Sequence, residues 1–122
     1  MHTKDIRTAG KPLTSDSKVL IMVHGRGGSA EDILSLSNHL EINDFSLIAP
    51  QATNHTWYPY SFMVPPSQNE PWLSSALQIL KNTIDDIKEQ GIKSSNIYLL
   101  GFSQGACLTL EFLSRNAMKY GG

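Results

Sequence analysis

One cysteine in 122 residues, Cys107, leaves the chain without an intrachain disulfide and without a cysteine cluster for zinc or iron–sulfur. Positive charge is not concentrated: 10 Lys and Arg stand against 11 Asp and Glu, for a formal net charge of −1, and they form no basic stripe. Nucleic acid and acidic membrane surfaces are therefore not expected partners. No apolar run approaches the roughly 20 residues that cross a bilayer. Residues Met1 to Lys18 hold no continuous apolar core of the signal-peptide kind, so a reducing cytoplasm is the default expectation. After Ser103 there is neither Asp nor His, and Glu111 is the one acidic residue. What is present fits a folded chain with one core: hydrophobic content is 40% and charged content 17%.

Lys18 to His24 (KVLIMVH) is a nearly continuous apolar, β-branched run, as expected of a strand covered on both faces of a parallel sheet. Gly25 to Gly28 make a tight loop, and Ser29 reads as the N-cap of a helix with Asp32 near the capping-box position. Ile33, Leu36 and Leu40 give that helix one apolar stripe, and His39 at its end suits the C-terminal dipole. Phe45 to Ala49 is a second strand, closed by Pro50. From Gln51 to Asn69 the chain is aromatic and Pro-rich without a period, which predicts an ordered loop. Pro71 opens the next helix, whose stripe is Leu73, Leu77, Leu80, Ile84 and Ile87, and Gly91 stops it. Asn96 to Leu100 is a third strand, and Gln104 to about Lys119 a third helix. Residues before Lys18 form one or two leading strands around a Gly10-Lys11 turn. Strand and helix alternation over residues 1–122 predicts one α/β domain with right-handed crossovers and helices on both faces of a mostly parallel sheet.

Gly101-Phe102-Ser103-Gln104-Gly105 falls where the third strand ends and the third helix begins. A serine on so sharp a turn is lifted toward a substrate carbonyl, and a side chain at Gly101 or Gly105 would collide with the neighbouring strand or helix. The alternative is a strand–helix turn that simply uses small residues. His24-Gly25-Arg26-Gly27-Gly28 follows the first strong strand. Acyl transfer needs N–H donors aimed at an oxyanion; the N–H of Gln104 and that of Arg26 are the candidates. A phosphate loop is the weaker reading, because the spacing matches neither G-x-G-x-x-G nor the Walker pattern.

These two segments, with Ala49-Pro50-Gln51-Ala52 and Trp57-Tyr58, resemble the phospholipase/carboxylesterase family, the acyl-protein-thioesterase-like branch of the α/β-hydrolases. The resemblance runs from about Lys18 to Gly122. It implies Ser103 as nucleophile, an oxyanion hole from the N–H groups of Arg26 and Gln104, and loop support from His24, Gly25, Gly27, Gly101 and Gly105. It implies Trp57 and Tyr58 at the substrate entrance, though those rings could equally cap the core. Its members cleave carboxylic esters or thioesters without metal or organic cofactor, and are often cytosolic homodimers. The family takes its acid and base from after the nucleophile, in the order Ser, Asp, His. Neither follows Ser103 here, so residues 1–122 are expected to be an incomplete hydrolase domain, truncated after the third helix and inactive or nearly so.

Other residues have plainer readings. His24 is expected to bond backbone within its loop rather than act as base, His55 to be exposed or substrate-facing, and His2 to be disordered. Cys107 is expected to be a small buried residue, and Asp85, Asp86 and Glu89 a solvated face. The third strand is expected to show an unpaired apolar edge, favouring self-association. Two rivals remain: a non-catalytic, degenerate hydrolase module serving binding or assembly, and an enzyme acting on a dienelactone or a peptide-like acyl compound.

Overall fold

Alternate residues of the strand Lys18–Val23 face opposite ways, and both faces are buried. Val19, Ile21 and Val23 pack with Ile48 into one cluster, while Leu20 and Met22 join Leu47 and Ala49 in another. A computed structural model describes residues 1–40, 44–61, 63–116 and 120–122, with the side chain of His39 left aside. Its strands are β1 (Ile6–Gly10), β2 (Lys18–Val23), β3 (Phe45–Pro50) and β4 (Ile97–Gly101); its helices are α1 (Ala30–Leu34), α2 (Trp72–Glu89) and α3 (Gln104–Arg115). The four strands form one sheet in the order β1-β3-β2-β4. β2 runs parallel to both neighbours, and β1 pairs antiparallel with β3. The leading segment thus supplies one strand.

α1 covers the face carrying Leu20 and Met22, whereas α2 and α3 cover the other. On α2 the expected stripe is buried at every position, from Leu73 to Ile87. Each such side chain contributes about 1.5–3 kcal/mol of burial. Pro71 stands just before α2 at its N-cap, and Gly91 follows its end with φ +87°. Among the described residues no helix is long and apolar enough to cross a membrane.

Three expectations need correction. α1 stops at Leu34 and gives way to a 3₁₀ turn over Ser35–His39, leaving Leu36 37% and Leu40 42% exposed. Ser35 Oγ donates to the Asp32 carbonyl at 2.6 Å, the local competition through which serine weakens a helix. α3 ends at Arg115, where the Asn116 side chain donates to the Phe112 carbonyl; Lys119, the expected end, lies outside the described residues. β4 is the edge strand but is not bare. The Gly121 N–H donates to Ile97 C=O at 2.9 Å and the Leu99 N–H to Gly122 C=O at 2.8 Å. Gly121 lies against the Tyr98 ring, closer than a side chain would allow.

Candidate active site

Register brings the two chemical loops together. Val23, the last residue of β2, pairs with Gly101, the last of β4, so both chains turn at the same edge of the sheet. The Phe102 N–H then donates to the Val23 carbonyl at 3.1 Å. Ser103 follows with φ 56° and ψ −118°, a left-handed backbone that non-glycine residues seldom adopt, and caps α3. Its side chain is exposed. Contact requires glycine at positions 101 and 105, and Gly25 is closely approached. A Cβ on Gly105 would lie 2.1 Å from the Val23 oxygen, one on Gly101 2.6 Å from Ala106 Cα, and one on Gly25 3.2 Å from Ser103 Cβ.

The loop after β2 is a turn closed by Gly28 N–H to Gly25 C=O at 3.0 Å, with Gly27 at φ +78°. Glycine is favoured at that position because L side chains rarely adopt such a φ. The Gly27 N–H goes to His55 C=O at 2.7 Å. Among the described residues, no acceptor takes the N–H of Arg26 or that of Gln104. Both residues border, with Ser103, an open cleft of about 890 Å³ whose other wall is Tyr58, Pro59, Tyr60 and Ser61. A second cleft of about 310 Å³, walled by Asp32, Ile33, Leu36 and Phe102, also borders Ser103 and Arg26. An exposed hydroxyl between two clefts, beside two unused N–H donors and a helix N-terminus, is equipped to attack a carbonyl and hold the resulting oxyanion.

His24 is buried and neutral. The Ala52 N–H donates to its Nε2 at 3.0 Å, so the proton sits on Nδ1 and goes to the Gly25 carbonyl at 2.8 Å. Burial holds its pKa below the usual 6.5. Both ring nitrogens thus serve backbone, and none is left for Ser103. Trp57 stacks on this ring at 4.9 Å and donates its indole N–H to the His24 carbonyl at 2.8 Å. It is wholly buried and borders neither of these clefts, so of its two expected places it takes the one in the core. The reason is its partner: the indole N–H finds its acceptor inside the core. Tyr58 does border the larger cleft.

The position of His2 is a further correction. It is buried between Trp57 and Trp72, accepts the Thr53 N–H on Nδ1 at 3.0 Å and donates Nε2–H to Trp57 C=O at 2.6 Å. Cys107 is half-buried and borders the larger cleft instead of lying wholly in the core. His55 is exposed, with Nδ1 at 2.7 Å from Gly28 C=O. Glu111 pairs with Arg115 at 2.7 Å on α3, while Asp85 and Asp86 pair with Lys81 and Lys4 in solvent. Phe62 of the aromatic loop lies outside the described residues.

Sequence reasoning missed the fastening of this loop. The Gln104 side chain accepts the Trp57 N–H and donates to Tyr58 C=O, both at 2.9 Å. The Arg26 guanidinium donates to the carbonyls of Pro59 and Tyr60, also at 2.9 Å. Asn69 accepts the Tyr60 N–H and donates to Ser61 C=O. Gln51 accepts the Ala30 N–H at the start of α1. None of these bonds follows a local period, so no sequence pattern announces them.

A partly parallel sheet with helices on both faces, and a serine turn between strand and helix at its edge, is the α/β-hydrolase fold. Residues 6–122 match the phospholipase/carboxylesterase family, and the chain belongs to it. It is 52% identical to a phospholipase/carboxylesterase of known crystal structure from Dyadobacter fermentans DSM 18053, with a TM-score of 0.95. That match covers 99% of this chain and 58% of the relative, so the chain spans little more than half the relative's length. Esterase PE8 (21% identity, TM-score 0.65, 91% of this chain and 56% of that one) shares the fold. So does YahD, solved with malic acid (12% identity, TM-score 0.70, 97% and 60%). A comparison with the curated proteins gave no match.

Proposed function

We propose that these residues carry the nucleophile and oxyanion site of a serine hydrolase that cleaves carboxylic esters or thioesters. The observation that carries this reading is the left-handed Ser103 turn, exposed between two clefts beside the unused N–H groups of Arg26 and Gln104. Ser103 Oγ attacks the carbonyl carbon and gives up its proton to a base. The two N–H groups hold the tetrahedral oxyanion, which collapses to an acyl-Ser103 and the released alcohol or thiol. Water then attacks the acyl carbon and regenerates the hydroxyl.

Neither buried histidine serves as that base. His2 and His24 spend both ring nitrogens on backbone, and no His or Asp follows Ser103 in the sequence. Serine hydrolases deprived of triad members keep only about 10³–10⁴-fold acceleration over water. The 122-residue chain is therefore expected to react slowly with a fluorophosphonate probe, at Ser103 alone, with labelling lost in Ser103→Ala. Labelling at the rate of an intact serine hydrolase would show that a base is present after all. Labelling that survives Ser103→Ala would reject Ser103 as nucleophile.

A further inference from the structure

The Gly25–Arg26 peptide is planar and trans, so its carbonyl and its N–H point opposite ways, and fixing the one aims the other. The Gly25 carbonyl accepts the His24 Nδ1–H at 2.8 Å and the Gly28 N–H at 3.0 Å. The Arg26 N–H is left on the far side of that plane, where among the described residues no acceptor takes it. The direction of this donor therefore depends on where Gly28 stands. Packing does not hold the tip of the turn that Gly28 closes. A Cβ on Gly27, at φ +78°, would meet nothing within 4 Å.

His55 holds it instead, from a segment 27 residues further along the chain. Its carbonyl accepts the Gly27 N–H at 2.7 Å, and its Nδ1–H donates to the Gly28 carbonyl, also at 2.7 Å. The backbone that delivers these two bonds is strained. Asn54 has φ 56° and His55 φ 60°, two left-handed non-glycine residues in succession. Asn and His enter this region more readily than most residues, yet such a pair persists only where the surroundings hold it. His55 is exposed and borders neither cleft at Ser103, so whatever it does for the reaction it does through the loop. The same segment also braces the other donor to the Gly25 carbonyl, because the Ala52 N–H occupies His24 Nε2 and so keeps the proton on Nδ1.

We propose that His55 is a positioning residue for the reaction at Ser103. By gripping Gly27 and Gly28 on two sides it fixes the turn that aims the Arg26 N–H at the oxyanion. The proposal rests on the esterase reading of Ser103. An oxyanion donor acts on the tetrahedral state and hardly on the bound ester, so loosening it lowers the rate without weakening substrate binding. A donor displaced rather than deleted costs about tenfold to a hundredfold.

The test uses the complete protein carrying these residues, as wild type, His55→Ala, His55→Asn and His55→Asp. Asn and Asp match in size and both tolerate the left-handed angle, but only Asn can donate to the Gly28 carbonyl. Two inhibitors share the substrate's groups: a trifluoromethyl ketone, which becomes a tetrahedral oxyanion on Ser103, and an amide, which stays planar. Their affinities do not depend on what fraction of each variant is folded. His55→Ala and His55→Asp are expected to lose about tenfold to a hundredfold in kcat/KM and in affinity for the ketone, with affinity for the amide unchanged. His55→Asn keeps most of both. Ketone affinity that survives in His55→Ala and His55→Asp overturns the proposal. So does an equal loss for ketone and amide, or a loss in His55→Asn as large as in His55→Asp; His55 is then a loop fastener only. If the wild type turns over no ester or thioester, the esterase reading falls, and this one with it.

Discussion

Gly105 and Gly27 show how differently two glycines of one site can be constrained. At Gly105 a Cβ would press on the carbonyl oxygens of Val23 and His24 at 2.1 and 2.5 Å, so β2 and α3 would have to separate. At Gly27 a Cβ would touch nothing within 4 Å, and only the backbone angle, φ +78°, resists substitution. Overpacking costs about 1–3 kcal/mol or more, against about 1–2 kcal/mol for a left-handed residue. Urea denaturation is expected to show Gly105→Ala losing clearly more stability than Gly27→Ala. Equal losses would contradict the close approach of α3 to the end of β2. The need for a glycine at position 105 was legible in the spacing of the motif, because the turn is local. The burial of His2 was not, since its partners lie 51 to 73 residues away.

Among the elements, the segment from Ala52 to Ser61 stands out because side chains rather than a ladder hold it. His24 takes the N–H of Ala52, and His2 takes the N–H of Thr53, the next residue. Protonation would turn each acceptor nitrogen into a donor facing a donor. Burial is the main reason both pKa values lie below 6.5; His55 adds to the effect at His24 and Asp32 opposes it, while the N-terminal amine adds to it at His2. Above pH 6.5 folded and unfolded states alike are neutral at these rings. As pH falls through 6.5 the unfolded chain takes up protons first, so stability drops until the lower folded pKa is reached. Each pH unit between the two values is worth about 1.4 kcal/mol. The urea midpoint is expected to be lower at pH 5.5 than at 7.5, with the slope reduced in His24→Gln and His2→Gln. An unchanged slope in both variants would reject the two rings as its source. Helix α2 was readable because one apolar stripe repeats along all of it. α1 was not, because Ser35 bonds its own backbone where the apolar pattern continues.

For the molecule as a whole, sheet order sets the exposure of its parts. β4 stands at the edge, and among the described residues its outer side makes two hydrogen bonds, accepting from the Gly121 N–H and donating to the Gly122 carbonyl. Phe102 and Leu110 beside it are 65% and 68% exposed. A partly paired parallel edge next to exposed apolar side chains is a template for association. The 122-residue chain by itself is expected to self-associate, with a sedimentation coefficient that rises with concentration. A single monomeric boundary across a tenfold range of concentration would exclude this.

Amino-acid order alone determined the β2, β3 and β4 strands, the α2 stripe and the serine turn, because each is written in spacings of two, of three and four, or of a few residues around glycine. Tertiary structure alone decided what the polar side chains hold. Arg26, Gln104 and Asn69 fasten one loop, His2 enters the core beside Trp57, and Trp57 leaves the cleft to Tyr58. Such bonds depend on which backbone groups the folded sheet leaves without partners, and that is settled only when segments tens of residues apart have met.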